Sequence, residues 1–165
     1  MIFIGLGGNL QSPEFGPPES TLKAVLAALP EVGVTVVRRS GFWRSAPAPA
    51  SDQPWYVNAV AEIATTFDAV ALLAALHGLE TRFGRVRRAL NEARVVDLDL
   101  LDFHGLIRDV DQGPPELPHP RMAGRNFVLR PLAELAPDWR HPLTGMAIIK
   151  LIKNNSINDT SKLIH

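Results

Sequence analysis

The fold of this chain is decided by the stretch Arg94-Val95-Val96-Asp97-Leu98-Asp99-Leu100-Leu101. Its apolar residues predict a buried strand, and that strand carries two aspartates separated by one residue. Side chains alternate across a strand, so Asp97 and Asp99 face the same side with Cα atoms about 6.6 Å apart. Two anionic groups on one face repel each other unless a cation or a cationic side chain lies between them. The stretch therefore predicts both a strand of a sheet and a site that binds positive charge.

The segments around this strand follow an order typical of an α+β domain. Strands are expected at residues 2–6, 34–43, 56–65 and 94–103, and helices at 19–29 and 68–83, with a further helix near 131–135. Asp68 is the expected N-cap of the second helix. The order strand, helix, strand, strand, helix, strand predicts a ferredoxin-like split βαβ core, an antiparallel sheet with helices packed on one face.

The composition of the chain changes near its C-terminus. Lysine occurs once before residue 146, at Lys23, and three times after it, and residues 154–158 are mostly polar. We expect a single domain over residues 1–145. Residues 146–165 are a C-terminal extension of uncertain structure, either a frayed end or a partly foreign segment, to which we assign no chemistry.

The overall charge and residue content exclude several classes of protein. The 165 residues carry 17 basic and 17 acidic side chains, a formal net charge of zero, which disfavours a general nucleic-acid binder. No apolar run reaches the length of a membrane span, and because the first residues are strand-like and lack a basic segment, we expect no signal peptide. Cysteine is absent, which excludes disulfides and thiolate metal sites. We expect a cytoplasmic protein, monomeric, with no nucleic-acid or membrane partner.

Arginines flank the paired aspartates in two loops. Arginine favours phosphate because its planar guanidinium donates two parallel hydrogen bonds. Paired carboxylates suit magnesium, which binds through one or two carboxylates and substrate phosphates. Together they predict a site for a metal-bound polyphosphate, although solvated basic loops and an aspartate paired with arginine are the structural alternatives. The basic residues concerned are Arg85, Arg87, Arg88, Arg94, His119, Arg121 and Arg125.

Two further segments suggest ligand contacts. Gly5-Leu6-Gly7-Gly8-Asn9-Leu10 lacks the third glycine of a dinucleotide fingerprint and the lysine of a P-loop. It is either a tight turn that needs positive φ or a close approach of the backbone to a ligand. Tyr56 and Asn58 share a face of the third expected strand and suit a flat, hydrogen-bonding heterocycle, with Phe127 as a possible second ring; a buried core tyrosine with a structural asparagine is the alternative.

In combination these segments resemble the 6-hydroxymethyl-7,8-dihydropterin pyrophosphokinase family of folate biosynthesis. The resemblance runs in order from residue 4 to about residue 140. It is carried by Gly5-Leu-Gly-Gly-Asn-Leu10, Ser45-Ala-Pro47, Asp52-Gln-Pro-Trp-Tyr-Val-Asn58, Glu80 with Gly84-Arg-Val-Arg87, Arg94-Val-Val-Asp-Leu-Asp-Leu-Leu101, Leu117-Pro-His-Pro120 and Arg125-Asn-Phe-Val-Leu-Arg-Pro-Leu132.

The resemblance implies transfer of pyrophosphate from ATP to the pterin hydroxymethyl group, with release of AMP. It implies that Asp97 and Asp99 hold two Mg²⁺ ions and that Arg85 and Arg94 are catalytic. The implied ATP-binding residues are Glu80, Arg87, Arg94, Leu100, His119 and Arg125. The implied pterin-binding residues are Ser45, Ala46, Ala48, Tyr56, Asn58 and Phe127.

The chain departs from the family pattern just before Arg94. The family often has a basic residue, an aromatic residue and Gly-Pro where this chain has Leu90-Asn91-Glu92-Ala93. An aromatic lid and one phosphate-binding cation are therefore absent or supplied elsewhere, for example by Arg88. The competing hypotheses are a non-catalytic nucleotide- or pterin-binding ferredoxin-like module and an RNA-binding domain, for which Phe3 and Tyr56 supply too few exposed aromatic side chains.

Overall fold

The computed structural model describes residues 1–86 and 89–165, which form an antiparallel sheet covered by helices. Its strand order is β5-β1-β4-β3-β6, with β2 also paired to β4. Arg87, an expected ATP ligand, and Arg88 lie outside the described residues. The elements are β1 (Ile2–Gly8), α1 (Pro18–Ala28), β2 (Thr35–Arg39), β3 (Trp43–Ser45), β4 (Tyr56–Ala64), α2 (Ala69–Arg82), β5 (Asp97–Phe103), α3 (Asn126–Leu135), α4 (Ile148–Asn154) and β6 (Lys162–Leu163).

The predicted α+β, ferredoxin-like arrangement is confirmed by the pairing of the central strands. β1 pairs antiparallel with both β4 and β5, as the split βαβ order requires. The second helix starts where the sequence predicts, because the Asp68 side chain accepts a hydrogen bond of 2.8 Å from the Ala71 amide. The expected second strand is broken into β2 and β3, which both pair with β4.

Two apolar cores lie on opposite faces of this sheet. The first packs α1 and α2 against one face through residues such as Leu22 and Leu76, which is the face expected to carry the helices. The second packs α3 and α4 against Phe3, Val60 and Leu101 on the other face. The helices are therefore not confined to one face, because the C-terminal third of the chain supplies a second helical layer.

The C-terminal segment is integrated into this second layer. In α4, Ile148, Leu151 and Ile152 are buried in the same core as α3. Farther on, β6 pairs antiparallel with β3 at the edge of the sheet. The segment beyond residue 146 thus contains a helix and a short strand that pack on the rest of the fold. Across the described ranges, helices are too short or too polar to cross a bilayer.

Candidate active site

The site is built on the sheet face that α3 and α4 leave partly uncovered. Asp97 and Asp99 project from β5 toward this face, as their spacing predicts, and pair with Gly7 and Gly5 of β1. Next along the sheet, Asn58 of β4 pairs with Gly7. Because the two glycines have no side chains, the carboxylates and the amide stand around an open floor. All five residues line one cavity of about 350 Å³.

The glycine-rich segment forms a strand, so the expectation of a tight turn was wrong. Gly5, Gly7 and Gly8 all belong to β1, and positive φ angles occur at other glycines. A Cβ atom on Gly7 would lie 3.2 Å from the Asn58 amide oxygen, and one on Gly8 would overlap the Val95 carbonyl group. Glycine is therefore needed here for close packing and for the open floor, and close approach of this backbone to a ligand stays a prediction.

Asp97 is neutralised by two arginines. Arg85 Nη1 donates to Asp97 Oδ1 and, at 3.0 Å, to the Val96 carbonyl, while Arg94 Nη1 donates to Asp97 Oδ2 at 2.7 Å. Burial disfavours the charge of Asp97, but the two guanidinium groups outweigh it and hold the pKa of Asp97 below its usual value. Asp97 is therefore an ionised, rigidly oriented carboxylate.

Asp99 has weaker compensation for its charge. Burial and the neighbouring Asp97 charge raise the pKa of Asp99, and the more distant His119, Arg125 and Arg121 offset this only in part. His119 Nε2 lies 3.8 Å from Asp99 Oδ1, beyond hydrogen-bond distance. Burial also lowers the pKa of His119 despite the Asp99 charge, so the imidazole is poorly suited to neutralise this carboxylate. A cation placed beside Asp99 would relieve the repulsion between the two aspartates.

The carboxylate pair fits a hard divalent cation such as Mg²⁺. Its oxygens face a cavity, and in the part of the chain that the structure describes no cluster of three or more acidic or histidine side chains could enclose a metal. Magnesium accepts this arrangement, since it retains waters and takes phosphate oxygens as its remaining ligands. Asp97 and Asp99 are thus the residues that would hold such an ion, together with a bound polyphosphate.

Among the residues that the structure describes, three arginines line the cavity around the carboxylates: Arg94, Arg121 and Arg125. Arg94 is fixed by its bond to Asp97 and by donation from Nε to the Glu92 carbonyl at 3.0 Å. The Arg125 guanidinium lies 5.5 Å from the Phe127 ring centre. Burial and the neighbouring Arg121 charge lower the pKa of Arg125, and the negative charges of Asp99 and Asp97 offset this lowering only in part. The cavity therefore presents unbalanced positive charge suited to phosphate.

All six residues that the resemblance implied for the pterin line this cavity: Ser45, Ala46, Ala48, Tyr56, Asn58 and Phe127. Asn58 Nδ2 donates to the buried Ser45 hydroxyl at 2.8 Å, which leaves the Asn58 amide oxygen to face the floor beside Gly7. Tyr56 and Phe127 supply two aromatic rings, and residues 46–48 supply the backbone of one wall. The volume of about 350 Å³ lies within the usual range for a small-molecule site.

The structure separates several expected ATP ligands from the cavity. Glu80 is 1% exposed, and its carboxylate accepts a 2.6 Å hydrogen bond from the Leu98 amide, so its side chain supports β5 from below. The Leu100 side chain is packed in the first core, which leaves only its main chain to meet a nucleotide. Neither residue lines the cavity: the Leu100 side chain points to the opposite face of the sheet from Asp97 and Asp99, and the Glu80 carboxylate is bonded to the main chain of β5.

Arg85 is also placed behind the carboxylates. Its side chain is 8% exposed and lies between Asp97 and Glu80, whose Oε1 is 3.5 Å from Arg85 Nη1. Among the described residues, Arg85 reaches the site through Asp97, and Arg94 is the predicted catalytic arginine that lines the cavity. The geometry therefore places Arg85 where it orients the Asp97 carboxylate.

Sequence reasoning missed two polar residues that hold the cavity wall together. Asn9 is buried, accepts from the Arg94 amide at 2.8 Å and donates to Gln53 Oε1 and the Pro54 carbonyl. Gln53 lines the cavity and donates to the Asn91 carbonyl at 2.9 Å. These bonds connect three loops. The signal available in the sequence was that both residues lie within the quoted family motifs.

Comparison with known proteins agrees with the family resemblance found in the sequence. A model of the family described as 7,8-dihydro-6-hydroxymethylpterin-pyrophosphokinase matches residues 3–137. A 2-amino-4-hydroxy-6-hydroxymethyldihydropteridine pyrophosphokinase of Synechocystis is 39% identical over 91% of this chain and 73% of its own length. The protein of the same name from Haemophilus influenzae is 36% identical over 98% of this chain and 96% of its own length.

Comparison with solved structures shows that the fold is similar to that of a known protein. A Plasmodium falciparum HPPK-DHPS chain superposes on 99% of this chain with a TM-score of 0.72 and 12% identity. This chain spans about half, 47%, of that longer protein. The family model covers most of the sequence, and the two relatives match over 73% and 96% of their own lengths, so the chain belongs to the 7,8-dihydro-6-hydroxymethylpterin-pyrophosphokinase family.

Proposed function

We propose that this protein transfers pyrophosphate from ATP to the hydroxymethyl group of 6-hydroxymethyl-7,8-dihydropterin and releases AMP, a step of folate biosynthesis. One observation carries the proposal. The carboxylates of Asp97 and Asp99 stand in a single cavity between the six expected pterin residues and three arginines. Family membership supports the same reaction. A binding module without turnover is the alternative that the assay below must exclude.

The lining of the cavity suits both proposed substrates. Asn58, Tyr56, Phe127 and the 46–48 wall supply aromatic rings and a fixed amide, which suit the pterin ring. Arg94, Arg121 and Arg125 suit the ATP phosphates. Asp97 and Asp99 line the same cavity, where the pterin hydroxyl would meet the transferring group. This arrangement favours transfer through alignment of the two reactants.

The residues of the chain also provide charge stabilisation. Asp97, fixed by Arg85 and Arg94, and Asp99 would hold Mg²⁺, for which two ions are expected. When bound, Mg²⁺ neutralises phosphate charge and polarises the phosphoryl group. Arg94 lines the cavity while its guanidinium is bonded to Asp97. It can therefore stabilise the negative charge that develops on the transferred group. Arg87 remains a proposed ATP ligand, outside the described residues.

Other features of the protein in its cellular setting stay predictions. These are a cytoplasmic location, a monomeric state, a dependence on magnesium and the absence of nucleic-acid and membrane partners. The expected boundary at residue 145 also stays a prediction, although α4 and β6 show that the following segment packs on the same sheet.

The test is release of AMP from ATP and Mg²⁺ with and without the pterin. The wild type is expected to form AMP only with the pterin, and Asp97→Ala is expected to abolish AMP formation while leaving the far-UV circular dichroism intact. Asp138→Asn is the matched control, since Asp138 is an exposed acid outside the cavity lining. ATP binding without AMP release by the wild type would support the non-catalytic module. Unchanged turnover in Asp97→Ala would refute the metal role.

A further inference from the structure

Residues 46–48 form a partition between two cavities. On one side they line the candidate active site, of about 350 Å³. On the other side Ala46, Pro47 and Ala48 line a second cavity of about 420 Å³, which is also lined by residues 124–127, the end of α4 and residues 157–161. A segment with open space on both sides has little side-chain packing to fix it. Its position must therefore depend on specific polar contacts.

One such contact comes from the C-terminal segment. The Ala46 amide donates a hydrogen bond of 2.9 Å to the Thr160 hydroxyl, and both residues line the second cavity. Just beyond, β6 pairs with the strand that leads into the partition, through Leu163 with Trp43. The Ile164 amide donates to the Phe42 carbonyl at 2.8 Å. Residues 159–164, which we name the C-terminal clasp, thus hold the partition and its leading strand from behind.

The clasp is itself anchored to α3. Asp159 Oδ2 accepts from Arg130 Nε at 2.6 Å and from Asn126 Nδ2 at 3.0 Å. Asp159 Oδ1 accepts from the Ser161 amide at 2.9 Å, which orients the residues on either side of Thr160. The Asp159 side chain is 6% exposed, so this junction is largely protected from solvent. The helix that anchors the clasp also carries Phe127, one of the two aromatic residues of the active-site cavity.

We infer that Thr160 is a positioning residue for the pterin: its hydroxyl holds the Ala46 backbone so that the 46–48 partition keeps the width of the pterin pocket. The inference rests on the proposed function for the identity of the ligand. The chain of contacts runs from Arg130 and Asn126 through Asp159 to Thr160 and then to Ala46. Loss of the hydroxyl frees the partition to move into the second cavity, which lowers affinity for the pterin and leaves the arginine side of the site unchanged.

The experiment compares Thr160→Val, which removes the hydroxyl at nearly constant volume, with Thr160→Ser, which keeps it. Thr144→Val is the matched control, because the Thr144 hydroxyl also accepts from a backbone amide, that of Met146, away from both cavities. In the full chain, amide hydrogen exchange at Ala46 is expected to accelerate about two- to tenfold in Thr160→Val, the range of one net hydrogen bond. Thr160→Ser and Thr144→Val are expected to exchange like the wild type at this amide.

Kinetics then separate positioning from a general structural effect. In Thr160→Val the KM for the pterin is expected to rise by about two- to tenfold, with the KM for ATP and kcat changed by less than about twofold. Unchanged exchange at Ala46, or an unchanged pterin KM, would overturn the inference. If the wild type releases no AMP, the proposed function fails, and the pterin Kd from calorimetry replaces KM. Weaker pterin binding by Thr160→Val would then still support the role of Thr160. Equal affinities, or no pterin binding by the wild type, would overturn the inference.

Discussion

Replacement of Arg85 by methionine tests whether this arginine acts on substrate or supports the site. Its side chain is 8% exposed, with Asp97 and the almost fully buried Glu80 as its anionic neighbours. Removal of one partner from a buried ionic network lowers the free energy of unfolding by roughly 3–5 kcal/mol. Asp97 retains Arg94, and Glu80 retains the Leu98 amide, so we expect about 3 kcal/mol. For a domain of this size the melting temperature should fall by about 6–12 °C.

The assay is urea unfolding followed by tryptophan fluorescence, together with thermal unfolding. Arg82→Met is the matched control, since Arg82 pairs with Glu31 at 2.7 Å with both side chains more than half exposed. Its expected effect is at most about 1 kcal/mol. If Arg85→Met loses activity but unfolds like the wild type, Arg85 acts on the substrate directly and the supporting role is wrong.

Three further predictions concern single positions. Gly8→Ala should lower the free energy of unfolding by about 1–3 kcal/mol, because the added Cβ would overlap the Val95 carbonyl. Gly78→Ala, in α2, should raise the free energy of unfolding by about 0.5–1 kcal/mol, because there is open space for its Cβ. Urea titration measures both changes. Asp68→Ala should lower it by about 0.5–2 kcal/mol, with helical content read by circular dichroism. Burial opposes the Asp159 charge, but hydrogen bonds from Ser161, Arg130 and Asn126 outweigh it and hold the pKa of Asp159 below its ordinary 3.8. Its stabilisation is therefore present above that pH and lost as pH falls through the lowered pKa, so the stability difference between wild type and Asp159→Asn should shrink in acid titrations.

Features set by short-range pattern were predictable from the sequence. The period of two placed Asp97 and Asp99 on one face, and the N-cap preference of aspartate placed the start of α2. The pairing of these carboxylates with Gly7 and Gly5 was not predictable, because strand register depends on contacts about ninety residues apart in the chain. The same limit applies to Arg85, whose partner depends on how α2 packs beneath β5.

Local signals also misplaced some elements. Ser40 interrupts the expected second strand, since its hydroxyl accepts from the Val60 amide at 3.0 Å and replaces a regular ladder bond. The last helix was expected near residues 131–135, but α3 begins at Asn126 and contains Pro131 in its interior. There the burial of Leu129 and Leu132 in the second core outweighs the lost backbone hydrogen bond. Tertiary packing decides both cases, and local sequence propensity does not predict it.

The central claim is that the Asp97 and Asp99 carboxylates hold divalent cations against the ATP phosphates beside the pterin. The most direct measurement is electron paramagnetic resonance of Mn²⁺, as a substitute for Mg²⁺, with the pterin and an ATP analogue that has a methylene bridge between the α- and β-phosphates. The account predicts two bound ions per wild-type chain and a clear loss of bound Mn²⁺ in Asp99→Asn at equal analogue concentration. Equal Mn²⁺ binding by the two proteins would contradict it.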